Sequence, residues 1–95
     1  MSEFIRKQEV TDDAGEFQVW EGDEMLAHMT YARPFPDRMI VQHTQVAHGQ
    51  NGRGLGKMLF GQMIAFARQE KISVVPTCQF TRKMFDKFPE YKELL

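Results

Sequence analysis

The chain has 95 residues, 42% of them hydrophobic, with eight Phe, seven Met and one Trp; this is enough apolar side chain for one packed core, too much for a disordered chain and too little length for a second core, so one domain over residues 1–95 is expected. Twelve Lys and Arg against thirteen Asp and Glu leave a formal charge of −1, which excludes a global basic field, so neither nucleic acid nor a membrane surface is an expected partner. A single cysteine excludes an internal disulfide, and with no leader in the opening Met-Ser-Glu-Phe-Ile-Arg-Lys and no apolar run of about 18 residues, the expected compartment is the cytoplasm.

In chain order, Phe4 to Val10 reads as a short strand and Thr11 to Gly15 as a turn built from Asp side chains and a flexible Gly. Glu16 to Trp20 carries aromatic and β-branched residues of a second strand, and Glu21 to Glu24 turns it into a third, where Met25, Ala27, Met29 and Tyr31 alternate with Leu26, His28, Thr30 and Ala32 up to Arg33. Pro34-Phe35-Pro36-Asp37 is expected to break the ladder before a fourth strand from Arg38 to Val46. The period then changes. From Arg53 to Glu70, apolar residues fall at Leu55, Met58, Leu59, Met63, Phe66 and Ala67, the spacing of a helix with one buried face. A short strand from Ile72 to Val75 and a second helix from Phe80 to Phe88, stopped by Pro89, complete the reading. A strand, a long helix and another strand form a crossover, so the fifth strand should lie parallel to the fourth. The expected fold is α+β: a mixed sheet with antiparallel strands one to four and two helices, one of them long.

The segment from Val46 to Lys57 joins the fourth strand to the long helix and holds four of the seven glycines, Gly49, Gly52, Gly54 and Gly56. Glycine at this density permits positive φ and close approach of a ligand to backbone amides. The following helix points its unpaired N–H groups and positive dipole end at the loop, with Arg53 and Lys57 beside them, an arrangement suited to a phosphate or pyrophosphate. Two familiar loops fail on spacing. A nucleoside-triphosphate loop needs four residues between its first Gly and Gly-Lys, and Gly52 is one position too close to Gly56-Lys57. A dinucleotide fingerprint counted from Gly52 ends on Lys57, and counted from Gly54 on Leu59.

What remains, Asn51-Gly52-Arg53-Gly54-Leu55-Gly56, resembles the (Gln/Arg)-x-x-Gly-x-(Gly/Ala) pyrophosphate loop of the GNAT superfamily of acetyl-CoA-dependent N-acetyltransferases, with Asn51 where Gln or Arg is usual. Ile40 to Val46 before the loop, Val74-Val75-Pro76-Thr77-Cys78 after the helix and Phe88-Pro89-Glu90-Tyr91 near the end resemble the minimal, single-domain yjdJ-like branch of that superfamily. The resemblance implies acetyl-CoA or CoA as co-substrate. Strands four and five would splay apart, pantetheine would run beside Val46, Ala47 and His48, and the pyrophosphate would rest on Asn51, Gly52, Arg53, Gly54, Leu55, Gly56 and Lys57.

Acetyl transfer to an amine needs a base, an oxyanion donor and a leaving thiolate. The resemblance places Cys78 near the thioester, as a nucleophile, a hydrogen-bond donor or a packed thiol, and it implies a Tyr general acid in the following helix, where Phe85 stands instead. Tyr91 is the nearest phenol in sequence, with packing at the C-terminus as its plainer role. His43, late in the fourth strand, is the candidate base because imidazole as a class titrates near pH 6.5; a hydrogen-bonded strand histidine is the plainer alternative, and His28 and His48 rank below it. A lone Cys without a second Cys or His motif leaves no expected metal site. The leading function is therefore direct acetyl transfer in a ternary complex to a small amine or an exposed protein amino group, in a cleft that is shallow or completed by a partner subunit, with a homodimer as one option. A non-catalytic CoA or acyl-CoA-binding module is the alternative suggested by Phe85, and a protein-interaction domain with an incidental glycine turn is the third.

Overall fold

The structure, a computed structural model, describes residues 3–95; residues 1 and 2, part of the opening segment read as carrying no leader, lie outside the described residues. Five strands form one sheet in chain order: β1 (Phe4–Val10), β2 (Ala14–Glu21), β3 (Glu24–Phe35), β4 (Arg38–Val46) and β5 (Ser73–Pro76). The first four are antiparallel neighbours, and β5 joins β4 in parallel after the crossover helix α1 (Leu55–Glu70). The mixed sheet expected from the change of period is the one present. Helix α2 (Gln79–Lys87) follows β5, and a 3-10 helix over Pro89–Leu94, which the sequence reading does not contain, closes the chain. No helix among the described residues is long and apolar enough to cross a membrane.

The boundaries that differ do so for local reasons. Ala14 and Gly15 lie in β2 rather than in the turn before it, because the Tyr31 ring crosses from β3 over Gly15, where any Cβ would collide with it. Glycine there serves close packing. Strand β3 passes through Pro34 to Phe35, which pairs with Arg38; the register shifts between Ala32 and Phe35, so Pro34 sits where the ladder is already interrupted and its missing N–H costs no pair. Helix α1 begins at Leu55 instead of Arg53, since Gly52 and Gly54 hold φ of 85° and 78°. Strand β5 takes in Ser73 and Pro76 but not Ile72, and α2 spans one residue earlier at each end than expected.

Leu55, Leu59, Phe60, Met63, Ile64 and Ala67 bury one face of α1 against sheet residues that include Phe17, Met29, Tyr31, Met39 and Val41. Phe17 stacks on Tyr31 with centroids 5.1 Å apart and meets Phe66 edge-on at 5.8 Å. Phe85, 2% exposed, packs edge-on against Phe60 at 5.1 Å, which ties α2 to α1.

One irregularity of the sheet bears on function. Tyr31 pairs with Val41 but Thr30 pairs with His43, so Gln42 is an extra residue in β4, a β-bulge. Past it, Thr44 and Val46 sit opposite the buried Met29 and Ala27, on the face that α1 covers, whereas His43 and Gln45 sit opposite Thr30 and His28 on the other face.

Candidate functional site

Pairing between β4 and β5 ends at Val41 and Pro76. There the chain leaves the sheet through a knot of bonds on one acceptor: the Val41 carbonyl receives the Thr77 and Cys78 amides, each at 3.1 Å, and the Thr77 hydroxyl at 2.9 Å. Strand β4 nevertheless continues to Val46. From Gln42 onward its outer edge therefore lies against no strand, and a split opens between β4 and the start of α2.

At the near end of the split stands Cys78, the N-cap residue of α2. Its thiol donates to Thr44 Oγ1 across the split at 3.5 Å. Burial pushes the thiol pKa up, but the groups placed to donate to a thiolate, the Thr44 hydroxyl first and then the Thr81 amide and hydroxyl and the Phe80 amide, outweigh it, and the net shift is downward. After the Thr44 hydroxyl, the largest of these, the rest is positional: a thiolate at the N-cap meets the amides and the Thr81 hydroxyl of the first helical turn. Thr81 is fully buried, at 0% exposure, and its Oγ1 has no hydrogen-bond partner in the resting state; ionisation of the neighbouring thiol supplies an acceptor for it.

At the far end lies the glycine loop. A cavity of about 320 Å3 is lined by the loop residues from Gln50 to Lys57 other than Arg53, together with Val46 and, from α2, Phe80, Met84 and Lys87. Gly54, the N-cap of α1, is left-handed, no side chain caps the helix and no acid occupies its first turn, so the first-turn amides face the cavity uncapped. A Cβ on Gly54 would enter open space, and one on Gly56 would come within 2.6 Å of the Phe80 ring. The donor set fits a pyrophosphate: backbone amides, a helix N-terminus and two lysines, Lys57 and Lys87, that make no ion pair among the described residues.

The structure gathers most of the residues singled out in the sequence. Val46, Asn51, Gly52, Gly54, Leu55, Gly56 and Lys57 line this one cavity, while Ala47 and His48 line a smaller one, about 230 Å3, with Met25 and His28. Arg53 turns outward: its guanidinium pairs with Glu21 at 2.9 Å, hydrogen-bonds Gln50 and lies 4.7 Å from the Phe4 ring centroid, and Glu21 raises its pKa. It fastens the loop to the end of β2. His43 is exposed and its ring lies 6.2 Å from that of His28, on the face of β4 opposite to Thr44 and Cys78. Tyr91 packs against Phe60 at 5.9 Å and beneath Arg68 at 5.0 Å. Phe80, Met84 and Lys87 were missed, although their spacing of four and three marks one face of a helix. No group of three or more His, Cys, Asp or Glu among the described residues could hold a metal ion.

Comparison with known proteins agrees with this fold. A GCN5-like protein of Staphylococcus aureus, solved by NMR in solution, has the same fold with a TM-score of 0.69 at 22% identity, over 93% of this chain and 85% of its own. An integron cassette protein of Vibrio cholerae gives a TM-score of 0.62 at 21% identity over 82% of this chain, which spans about half, 52%, of that one. No curated protein matches. The family described as GCN5-related N-acetyl-transferase matches residues 16–94, a span that contains the split, the loop and Cys78, and the chain therefore belongs to the GCN5-related N-acetyltransferase family.

Proposed function

We propose that the protein transfers the acetyl group of acetyl-CoA directly to an amine while both are bound, the acceptor being a small amine or an exposed protein amino group. The observation that carries this reading is the split itself, a strand edge with an anion cradle at one end and a polarised thiol at the other. The loop amides and the two lysines hold the pyrophosphate, and the unpaired edge of β4 up to Val46, continuing into Ala47 and His48, offers backbone groups to the amides of pantetheine. The acetyl thioester then lies toward Thr44 and Cys78. In the reaction the C–N bond forms, the C–S bond breaks, CoA leaves as a thiolate and the amine loses one proton. Cys78 donates a hydrogen bond toward the leaving sulfur in place of the missing tyrosine, since Phe85 is buried against Phe60. His43, on the opposite face of β4, takes the proton of an amine that enters from that side.

A relay through an acetyl-cysteine is a second reading of the same site, favoured by one observation, the downward shift of the Cys78 pKa with an unpartnered Thr81 hydroxyl beside it. One experiment separates the readings. The protein is incubated with acetyl-CoA, with and without a panel of amines and amino-terminal peptides, and followed by free-thiol release and intact mass. Direct transfer gives amine-dependent thiol release and no change in protein mass. An adduct of one acetyl group on Cys78 without acceptor establishes the relay instead. Binding without thiol release under every acceptor identifies a CoA-binding module and ends the enzymatic reading.

A further inference from the structure

The first strand leaves one edge of the sheet open. Among the described residues no strand pairs with the outer side of β1, where Ile5 and Val10 are 48% and 56% exposed. Which backbone groups point outward follows from the hairpin. The Thr11 amide donates to the Ala14 carbonyl at 2.9 Å, so Thr11 and Ala14 form a hydrogen-bonded pair, and along the unbroken register from Val10 and Gly15 to Phe4 and Glu21 such pairs alternate with unbonded ones. Glu9, Lys7 and Ile5 therefore direct their N–H and C=O groups to β2, while Val10, Gln8 and Arg6 direct theirs away from the sheet. An edge of this kind is a template for a further strand.

The side chains of β1 divide by face. Arg6, Gln8 and Val10 sit opposite Val19, Phe17 and Gly15 on the face that α1 covers, whereas Lys7 and Glu9 sit opposite Gln18 and Glu16 on the open face. Glu9 and Glu16 are thus two acids directly across from each other, which is unfavourable. Glu16 accepts a hydrogen bond from Gln18 Nε2 at 2.7 Å, but neither acid makes an ion pair among the described residues. Lys7 makes no ion pair there either, its Nζ lying 4.4 Å from the Trp20 ring centroid. A cation and an anion two positions apart on one face of an open edge are self-complementary toward a strand that runs the opposite way.

We infer that β1 pairs antiparallel with β1 of a second copy of this chain, about a twofold axis at Gln8. In antiparallel pairing two opposed residues are both bonded or both unbonded, so the axis must pass where a residue faces itself. Charge selects which one. An axis at Arg6, Lys7 or Glu9 sets that charge against its own copy, and an axis at Ile5 or Val10, near the ends of the strand, leaves most of β1 unpaired. At Gln8, Lys7 of each copy opposes Glu9 of the other in unbonded pairs, where side chains come closest, and Gln8 with Gln8 and Arg6 with Val10 make the backbone bonds. Charges on an edge ordinarily discourage pairing; these permit one register, and in it each Lys7 answers the acidic pair of the other copy. The opposite edge, β5, has four residues and ends in Pro76, so the assembly closes as a dimer instead of growing by edges. The axis is perpendicular to the sheet, and the faces that carry His28 and His43 lie on the same side of the dimer.

The test is sedimentation of the full chain over a range of concentrations, paired with amide hydrogen exchange. A species of twice 11.1 kDa is expected to grow with concentration, and over the same range exchange should slow at the amides of Arg6, Gln8 and Val10 but not at those of Lys7 and Glu9, which β2 already binds. Lys7→Glu and Glu9→Lys each turn two attractive pairs into repulsive ones and should weaken association about tenfold or more. Mixed together, the two variants oppose Glu to Lys at both pairs, and the dimer should return, a rescue that a loss of folding in either variant could not give. A wild type that stays monomeric at millimolar concentration overturns the inference. So does a dimer that both variants leave unchanged, or one that their mixture fails to restore.

Discussion

Replacing Gly54 by alanine separates the two things this glycine does. It caps α1 at φ 78°, a region that costs an L-residue with a Cβ about 1–2 kcal/mol. The new methyl meets no protein atom within 4 Å, so strain is the whole penalty on the free protein. In a domain of this size each kcal/mol lowers the melting temperature by about 4–8 °C, which gives an expected fall of about 4–16 °C. Domains of this length are held by roughly 5–14 kcal/mol, so the variant stays folded. Gly54→Asn carries the same Cβ at a backbone angle that Asn adopts more readily, and it should melt above Gly54→Ala. Both variants should bind CoA about tenfold or more weakly, since the Cβ projects into the cavity where amide-to-phosphate bonds are made. The assay is a thermal melt paired with CoA titration on each variant. If CoA affinity follows stability, with Asn close to wild type and Ala weak, the methyl obstructs nothing and the cradle is misplaced.

Arg53→Ala and Glu21→Gln should weaken CoA binding to the same modest extent, because Arg53 acts by fastening the loop to Glu21; a much larger loss for Arg53→Ala in the same titration would mean that the guanidinium contacts the ligand. Alkylation of Cys78 by iodoacetamide should rise with pH through a midpoint below that of a free thiol, about 8.5, since the lowered pKa places more thiolate at a given pH. Thr81→Val should move that midpoint upward without destabilising the free protein, because the hydroxyl it removes is buried and unpaired; an unmoved midpoint would show that Thr81 does not support the thiolate. His43→Gln should lower kcat with little change in CoA affinity, whereas a full rate would leave deprotonation to water or to the free amine.

The sequence reveals the crossover because the apolar period changes between Val46 and Leu55, and it reveals the loop because glycines cluster where strand gives way to helix. Spacing also suffices to dismiss two phosphate loops. Less of the site is legible than of the fold. The contact of Arg53 with Glu21 spans 32 residues and depends on where the β2 hairpin end falls, which no local pattern encodes. The split depends on a bulge at Gln42 and on the Val41 carbonyl, and both are backbone features. The environment of Cys78 is built from the Thr44 hydroxyl, 34 residues away in the chain, and from amides, which carry no residue signature, although a Thr three positions after an N-cap cysteine is a readable hint. Pro34 misleads because a proline inside a strand is tolerated where the register already slips. The 3-10 helix at Pro89–Leu94 is too short for a period to show.

The central claim is that acetyl-CoA occupies the split between β4 and α2, with its phosphates on the loop. A titration of the isotopically labelled protein with acetyl-CoA, followed by backbone amide shifts, tests it most directly. The account predicts saturable shifts at residues 46–57 and 77–81, with the largest on Gly54, Gly56 and the amides of Phe80 and Thr81, and little change along β1. Absence of shifts at millimolar acetyl-CoA, or shifts confined to the face of the sheet that carries His28 and His43, would contradict it.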